Sequence, residues 1–462
     1  MFRKLIGDKA FYKKLFSVAF PMMIQMGITN LAGLLDNVMV GRIGTEQSTG
    51  VAIANQLIFI FNLMIFGALS GAGIFTAQFF GKGDHEGIRH TVRFKWWCAV
   101  LICIFATTIF LLFGDKLIGI YLTESDADID LAATLNYGRQ YLNLILIQFI
   151  PFAVVQVYSG TLKESGETVV PMVAGVVSVF VNLILNYILI YGKFGAPALG
   201  VVGAAIGTIA SRIAELLIVV IWTHRHSTRN AFVKGLYSGF FKMPGDLFKR
   251  VLIKGFPLFL NETLWSLGTS LIVQCYSQRG ADVVSALNIS NTLNNVFSVV
   301  FMSIGCSVGI IVGHLLGAGK IKEAKESAVR IIACSTLLCV VIGTCLVACS
   351  GLFPNFYNVL PEIRALASKF IIVLGIFMPM NAYLHATYFT IRSGGKTLVT
   401  FLFDCCYIWV LSLPVAYLLV NFTGLAIIPI YVIVCSLDAV KCIIGTVLLK
   451  KGTWLNNIVE EK

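Results

Sequence analysis

Charge is what this sequence has least of. Asp, Glu, Lys and Arg make up 13% of its 462 residues, about half of the roughly 25% usual in soluble domains. It also has no polar stretch long enough for an independent soluble domain, so any function must be built from its apolar segments. The twelve cysteines lack metal-binding spacing: nearly all lie in apolar runs, none forms a CxxC beside His or Asp, and they read as small buried hydrophobes. His224 and His226 lie in a basic stretch without acidic or thiol neighbours, which argues against a metal site. Ser393-Gly-Gly-Lys-Thr397 ends like a phosphate-binding loop, but Thr390 stands where that motif needs glycine and no strand precedes it. No nucleophile, base and orienting group occur together, so the chain reads as neither an enzyme nor a nucleotide-binding protein, and it calls for no cofactor.

What is present is apolar. Hydrophobic residues reach 57% and the mean hydropathy is +0.85, an excess that no soluble core absorbs. A membrane span needs roughly 20 residues. Apolar runs broken by Gly, Pro and charge give twelve candidate spans, near 15–40, 51–79, 92–113, 135–160, 169–191, 199–222, 251–277, 284–316, 328–353, 366–390, 398–420 and 425–449. They are too long and too continuous for barrel strands, which would alternate over about ten residues, so the expected fold class is an all-α integral membrane protein. The apolar run that follows the basic N-terminus continues without a small-residue cleavage site, and it reads as the first span rather than a signal peptide.

The net charge of +12 suggests nucleic acid or acidic lipid until its distribution is considered. An even number of spans puts both termini on one side. Of the 35 Lys and Arg, only Arg42, Lys116, Arg139, Lys193, Arg279, Arg364 and Lys369 fall on the opposite side, and Arg212 falls within a span. The others flank the terminal side, including Arg3, Lys4, Lys9, Lys13 and Lys14 before the first span, Arg93 and Lys95 after the second, and Lys450, Lys451 and Lys462 at the end. By the positive-inside rule that side is cytoplasmic. The basic excess is a topology signal, and a nucleic-acid partner drops out. The expected location is the cell membrane, in contact with lipid, as a monomer.

The chain also repeats itself. A shift of 236 residues places Phe20-Pro21 on Phe256-Pro257, Gly44 on Gly280, Asn55 on Asn291 and Gly81-x-Gly83 on Gly317-x-Gly319. A repeat of six spans has an even count, so the copies run parallel, as in carriers made of two halves around a central cavity. This predicts an N-terminal lobe over 1–222, a basic cytoplasmic linker over 223–250 and a C-terminal lobe over 251–462.

A charge at the bilayer centre costs about 2.5–3.5 kcal/mol even on lenient scales, so each one needs a partner, a cavity or a task. Asp36 lies five residues before Gly41, roughly 7–8 Å below the outer end of the first span at helical rise. Asn182 and Asn186 share a face of the fifth span, and Asn186 falls about 9 Å below Gly192, at a similar depth. A carboxylate and two amides at one level can hold Na⁺ through oxygens or can take and release a proton. The alternative is that they only lock helices together. Glu262 is a second candidate acid near mid-depth of the seventh span, with Asn381 of the tenth span as its expected neighbour. Arg212 with Glu215, and Asp438 with Lys441, read as i,i+3 pairs that neutralise each other on one helix. Pro21 and Pro257 lie inside spans and are candidate hinges.

Pro21…Gln25…Asp36-Asn-Val-Met-Val-Gly41-Arg-Ile-Gly44, Asn55-Gln56, Phe66-Gly67…Ser70-Gly71 and Gln78-Phe-Phe-Gly81-Lys resemble the opening of the multidrug and toxic compound extrusion (MATE) family, its bacterial branch most of all. Asn261-Glu-Thr-Leu-Trp-Ser-Leu-Gly268 and Arg392-Ser-Gly-Gly-Lys-Thr397 resemble its second-half counterparts. The resemblance implies twelve helices in two six-helix lobes, V-shaped around a cavity. It implies antiport: small amphipathic, often cationic molecules leave as H⁺ or Na⁺ enters. Asp36 would be the coupling aspartate, with Asn182 and Asn186 as partners, although some members carry Asp at the second of these. Glu262 matches the acid of members that bind cation in the second lobe, while Asn381 replaces the second acid there. The alternative is a lipid-linked saccharide flippase of the wider superfamily. That reading calls for a cavity rich in Lys and Arg, and only Arg212 is a basic residue well inside a span.

Overall fold

A computed structural model describes residues 7–122, 130–357 and 359–460. Arg3, Lys4 and Lys462 of the charge pattern lie outside the described residues. All regular structure among the described residues is helical. Twelve long helices follow one another: α1 Lys9–Gly41, α2 Thr45–Lys82, α3 His85–Gly119, α4 Leu131–Glu164, α5 Val169–Tyr191 and α6 Val201–Arg225. The second half supplies α7 Gly245–Ser277, α8 Ala281–Gly317, α9 Ile321–Ala348, α10 Pro361–Ser393, α11 Thr397–Phe422 and α12 Ile427–Lys451. Eleven are long and apolar enough to cross a membrane. The twelfth, α7, falls short because it carries Asn261, Glu262 and Thr263 in its interior.

Local chemistry sets the helix ends. Asp130 caps α4, its Oδ1 accepting from the amides of Ala132 and Ala133 at 3.0 Å each. Gly192 ends α5 in the left-handed region, at φ 65°, where a side chain would be strained. Within α11, Leu402–Cys406 and Ile408–Ser412 form wide π-turns. The second ends two residues before Pro414, whose ring would collide with the carbonyl four residues back in a regular helix.

The surface is apolar where a soluble helix would be polar. On α3, Leu101, Ile104, Phe105, Leu111 and Leu112 are exposed, while Ala99, Cys103, Ala106 and Gly114 face inward. Small residues inside and large apolar residues outside are the pattern of a helix solvated by lipid. The chain is a multi-pass membrane protein.

The described residues divide into two compact units. The amino-terminal unit comprises Ile24–Thr76 and His85–Val251; the carboxy-terminal unit comprises Met1–Met23, Ala77–Asp84 and Leu252–Lys462. In the amino-terminal unit, Tyr158, Leu162, Ala174 and Val219 form a core. Arg93 and Lys95, expected in a solvated connection, are instead buried inside α3. Arg93 donates to the carbonyls of Gly235, Leu236, Ser238 and Lys242 at 2.7–3.1 Å, which holds the basic segment after α6 in place. Lys95 pairs with Glu164 at the end of α4. A lysine counted from sequence as a topology signal can thus also serve as a buried ion-pair partner.

In the carboxy-terminal unit the repeat glycines meet each other. A Cβ on Gly81 would lie 2.0 Å from the carbonyl oxygen of His314, and one on Gly317 would lie 1.8 Å from that of Gln78. Under the 236-residue shift Gln78 corresponds to His314 and Gly81 to Gly317, so the crossing is reciprocal. The Gln78 side chain is fully buried. It donates to the carbonyls of Ser393 at 2.9 Å and Asn456 at 3.1 Å, and accepts from the Ile458 amide at 2.9 Å. It thereby fixes the segment after α12, whose Trp454 and Ile458 are themselves buried.

Candidate functional site

In the amino-terminal unit, α1, α5 and α6 bring Asp36, Asn182 and Asn186 together as their depths predicted. Asn186 Nδ2 donates to Asp36 Oδ1 at 2.9 Å and to Asn182 Oδ1 at 3.3 Å. That same head atom of Asn182, whose other head atom faces Thr208, lies 2.7 Å from Asp36 Oδ1 and 3.1 Å from Oδ2. As a nitrogen it donates to both carboxylate oxygens. As an oxygen it can face them only with a proton or a cation between. With the Asn182 amide turned so that this atom is the nitrogen, the Asp36 carboxylate accepts from both asparagines of α5.

Asn182 and Asn186 are 6% and 1% exposed, whereas Asp36 is only half-buried. Asn186 Oδ1 is a buried oxygen without a hydrogen-bond partner among the described residues. It stands over Gly207 of α6, where a Cβ would lie 2.2 Å away; only glycine leaves room for it. Thr208, one residue on, hydrogen-bonds the Asn182 amide at 3.3 Å. Tyr141 of α4 reaches Asn55 at 3.3 Å. Gly207, Thr208 and Tyr141 were not singled out from sequence. A glycine in an apolar helix carries no signal until its neighbour is known. Arg212 pairs with Glu215 at 2.7 Å, as expected, and lies over the Phe152 ring at 5.5 Å.

The carboxy-terminal unit holds a longer polar chain. Glu262 Oε1 accepts from the Tyr388 hydroxyl at 3.2 Å and lies 3.8 Å from Arg392 Nη1. Asn381, its expected neighbour, is two turns before Tyr388 on α10, about 10 Å along the helix; the structure brings Glu262 to Tyr388 and Arg392 instead. Asn261 Nδ2 donates to Tyr388 Oη at 3.2 Å and to Asp404 Oδ2 at 3.2 Å. Lys441 donates to Asp404 Oδ1 at 2.6 Å, so its hydrogen-bonded partner is Asp404, while the expected partner Asp438 interacts with it only electrostatically from one turn away. The cause is the direction in which α12 presents Lys441, across to the first wide turn of α11 rather than along its own axis. Here both acids have a cationic partner from the chain itself. In the amino-terminal cluster, Asp36 is held by amides.

Pro21 lies inside α1 and Pro257 inside α7. His224 stacks on Tyr237, with ring centroids 5.9 Å apart, and lies 5.8 Å from the Tyr158 ring.

Comparison with known proteins bears on what these clusters belong to. A family model described as MatE matches residues 21–188 and 257–418. The probable multidrug resistance protein NorM of Thermotoga maritima is 26% identical over 452 residues, covering 96% of this chain and 93% of that protein. The multidrug resistance protein MdtK of Yersinia pseudotuberculosis is 26% identical over 411 residues, covering 88% and 87%. Among solved structures, an outward-facing multidrug resistance MATE transporter superposes with a TM-score of 0.84 at 18% identity, over 98% of both chains. A MATE crystal structure in complex with MaD3S gives the same score at 18% identity, also over 98% of both.

Proposed function

The chain belongs to the MatE family, the multidrug and toxic compound extrusion family, and from that premise we propose that it is a secondary active antiporter. It exports small amphipathic, cationic molecules in exchange for H⁺ or Na⁺. The observation that supports the coupling step is the half-buried Asp36 carboxylate, which accepts from the amides of Asn182 at 2.7 Å and Asn186 at 2.9 Å. With these bonds made, Asp36 is a charged, amide-bound group. With H⁺ or Na⁺ taken up, its charge is cancelled and the amides are released. A ligand shifts a two-state equilibrium only through its differential affinity for the two states. A site with two bonding arrangements supplies that difference.

The protein acts in the cell membrane, in contact with lipid and with both termini cytoplasmic. It works as a monomer, without nucleotide, nucleic acid or catalytic chemistry of its own. Pro21 and Pro257 serve as hinges, because each leaves a carbonyl of its helix without a donor. A saccharide flippase would need free basic side chains for a pyrophosphate. Arg212, Arg392 and Lys441 are each paired with a carboxylate, which disfavours that reading. The test is export of an organic-cation dye from proteoliposomes with pH and Na⁺ gradients imposed separately. One of the two gradients is expected to drive export by the unaltered chain and to fail with Asp36→Asn. Equal, gradient-driven export by Asp36→Asn protein would overturn the coupling role.

A further inference from the structure

The two acidic clusters differ in what neutralises them. In the carboxy-terminal unit, the Lys441 ammonium stands 2.6 Å from Asp404 Oδ1, a close, charge-assisted hydrogen bond. It also lies 5.2 Å from the centre of the Phe403 ring and 5.8 Å from that of Tyr407, close enough for the ring faces to attract it. Asp438, one turn before it on α12, acts on it electrostatically. The Lys441 and Asp404 side chains are 9% and 17% exposed, so salt screens the contact little. Asn261 ties up the other oxygen of Asp404, and the same hydrogen-bonded chain runs through Tyr388 to Glu262, where Arg392 ends it.

We propose that the Lys441 ammonium is a built-in counter-ion that fills the position a free monovalent cation would take at Asp404, which leaves coupling to the Asp36 cluster. This rests on the antiporter reading for its place in transport, though not for the occupancy itself. A lysine brought by α12 at four methylenes' reach cannot leave the protein, so this position contributes no ion to the exchange. Asp36 takes its hydrogen bonds from amides and keeps its charge available for an ion from solution.

The test counts radioactive Na⁺ bound per chain in the purified full-length protein, in an Asp36→Asn background that removes the carboxylate of the amino-terminal cluster. Asp36→Asn protein is expected to bind none. Adding Lys441→Met, which keeps the length and removes the charge, is expected to create one site, and adding Asp404→Asn as well to abolish it. Na⁺ binding with Lys441 in place overturns the proposal, as does no Na⁺ binding after Lys441→Met. Should the Lys441→Met protein unfold in choline chloride, NaCl is expected to rescue it, and failure of that rescue also overturns the proposal. Export is assayed separately on the unaltered chain. A chain that binds Na⁺ as described but exports nothing overturns the antiporter reading alone.

Discussion

Replacing Gln78 by methionine tests how the carboxy-terminal segment is held. Methionine has nearly the same length and no hydrogen-bonding amide. The change removes three hydrogen bonds of 2.9–3.1 Å, to Ser393, Asn456 and Ile458. Each bond is worth about 0.5–1.5 kcal/mol net, and a buried group left unsatisfied costs about 1–3 kcal/mol. Trp454 and Ile458 remain buried, so the segment still binds. Its opening, which returns Asn456 and Ile458 to water, becomes easier by about 3 kcal/mol if each bond counts near the middle of its range. That is roughly two decades in the open population. Hydrogen exchange at the Ile458 amide reads it directly, and trimming of the segment after Gly452 by a protease reads the same opening. A change of less than about threefold in both would refute the claim that Gln78 holds this segment.

Other consequences follow from single contacts. Gly207→Ala places a methyl against Asn186 Oδ1, 2.2 Å from where it lies now, and the flexible amide must swing away from Asp36. Losing a hydrogen bond to a charged group, about 1.5–3 kcal/mol, should slow gradient-driven export about tenfold or more while membrane insertion stays normal. Adding Asn186→Ala should cause little further loss, and full additivity would show that the methyl acts elsewhere. Arg93→Met removes four donations to backbone carbonyls of the segment after α6. Proteolysis between Gly235 and Lys242 should then quicken by a factor of about ten or more; unchanged cleavage would show that other contacts hold the segment.

Much of this molecule was legible in its sequence because a membrane leaves few choices. The span expected at 169–191 coincides with α5, since Thr168 and Gly192 bound a continuous apolar run. The common depth of Asp36 and Asn186 followed from a fixed rise per residue, and the structure joins them at 2.9 Å. Rotation of a helix about its axis is a different matter. It is set by packing against neighbours, which composition does not record. That is why Glu262 meets Tyr388 rather than Asn381, and why Lys441 crosses to Asp404 instead of turning to Asp438. The apolar run of the ninth span continues to 353, but α9 ends at Ala348, where Ser350 and Gly351 weaken the helix. Gly81-x-Gly83 and Gly317-x-Gly319 were legible as a repeat, but not as two halves of one crossing. Gln78 and Arg93 carried no sign of burial, because a polar residue near a helix end ordinarily faces water.

The central claim is that the Asp36 carboxylate links ion entry to substrate exit. The most direct measurement is the uptake of H⁺ and of Na⁺ per molecule of organic cation expelled from proteoliposomes, with the substrate moving against its own gradient. The account predicts a fixed uptake of one of these ions by the unaltered chain. For Asp36→Asn protein it predicts neither ion uptake nor uphill export, with downhill movement of substrate the most that survives. Uphill export by Asp36→Asn protein, at the same rate and with the same ion uptake as the unaltered chain, would contradict it.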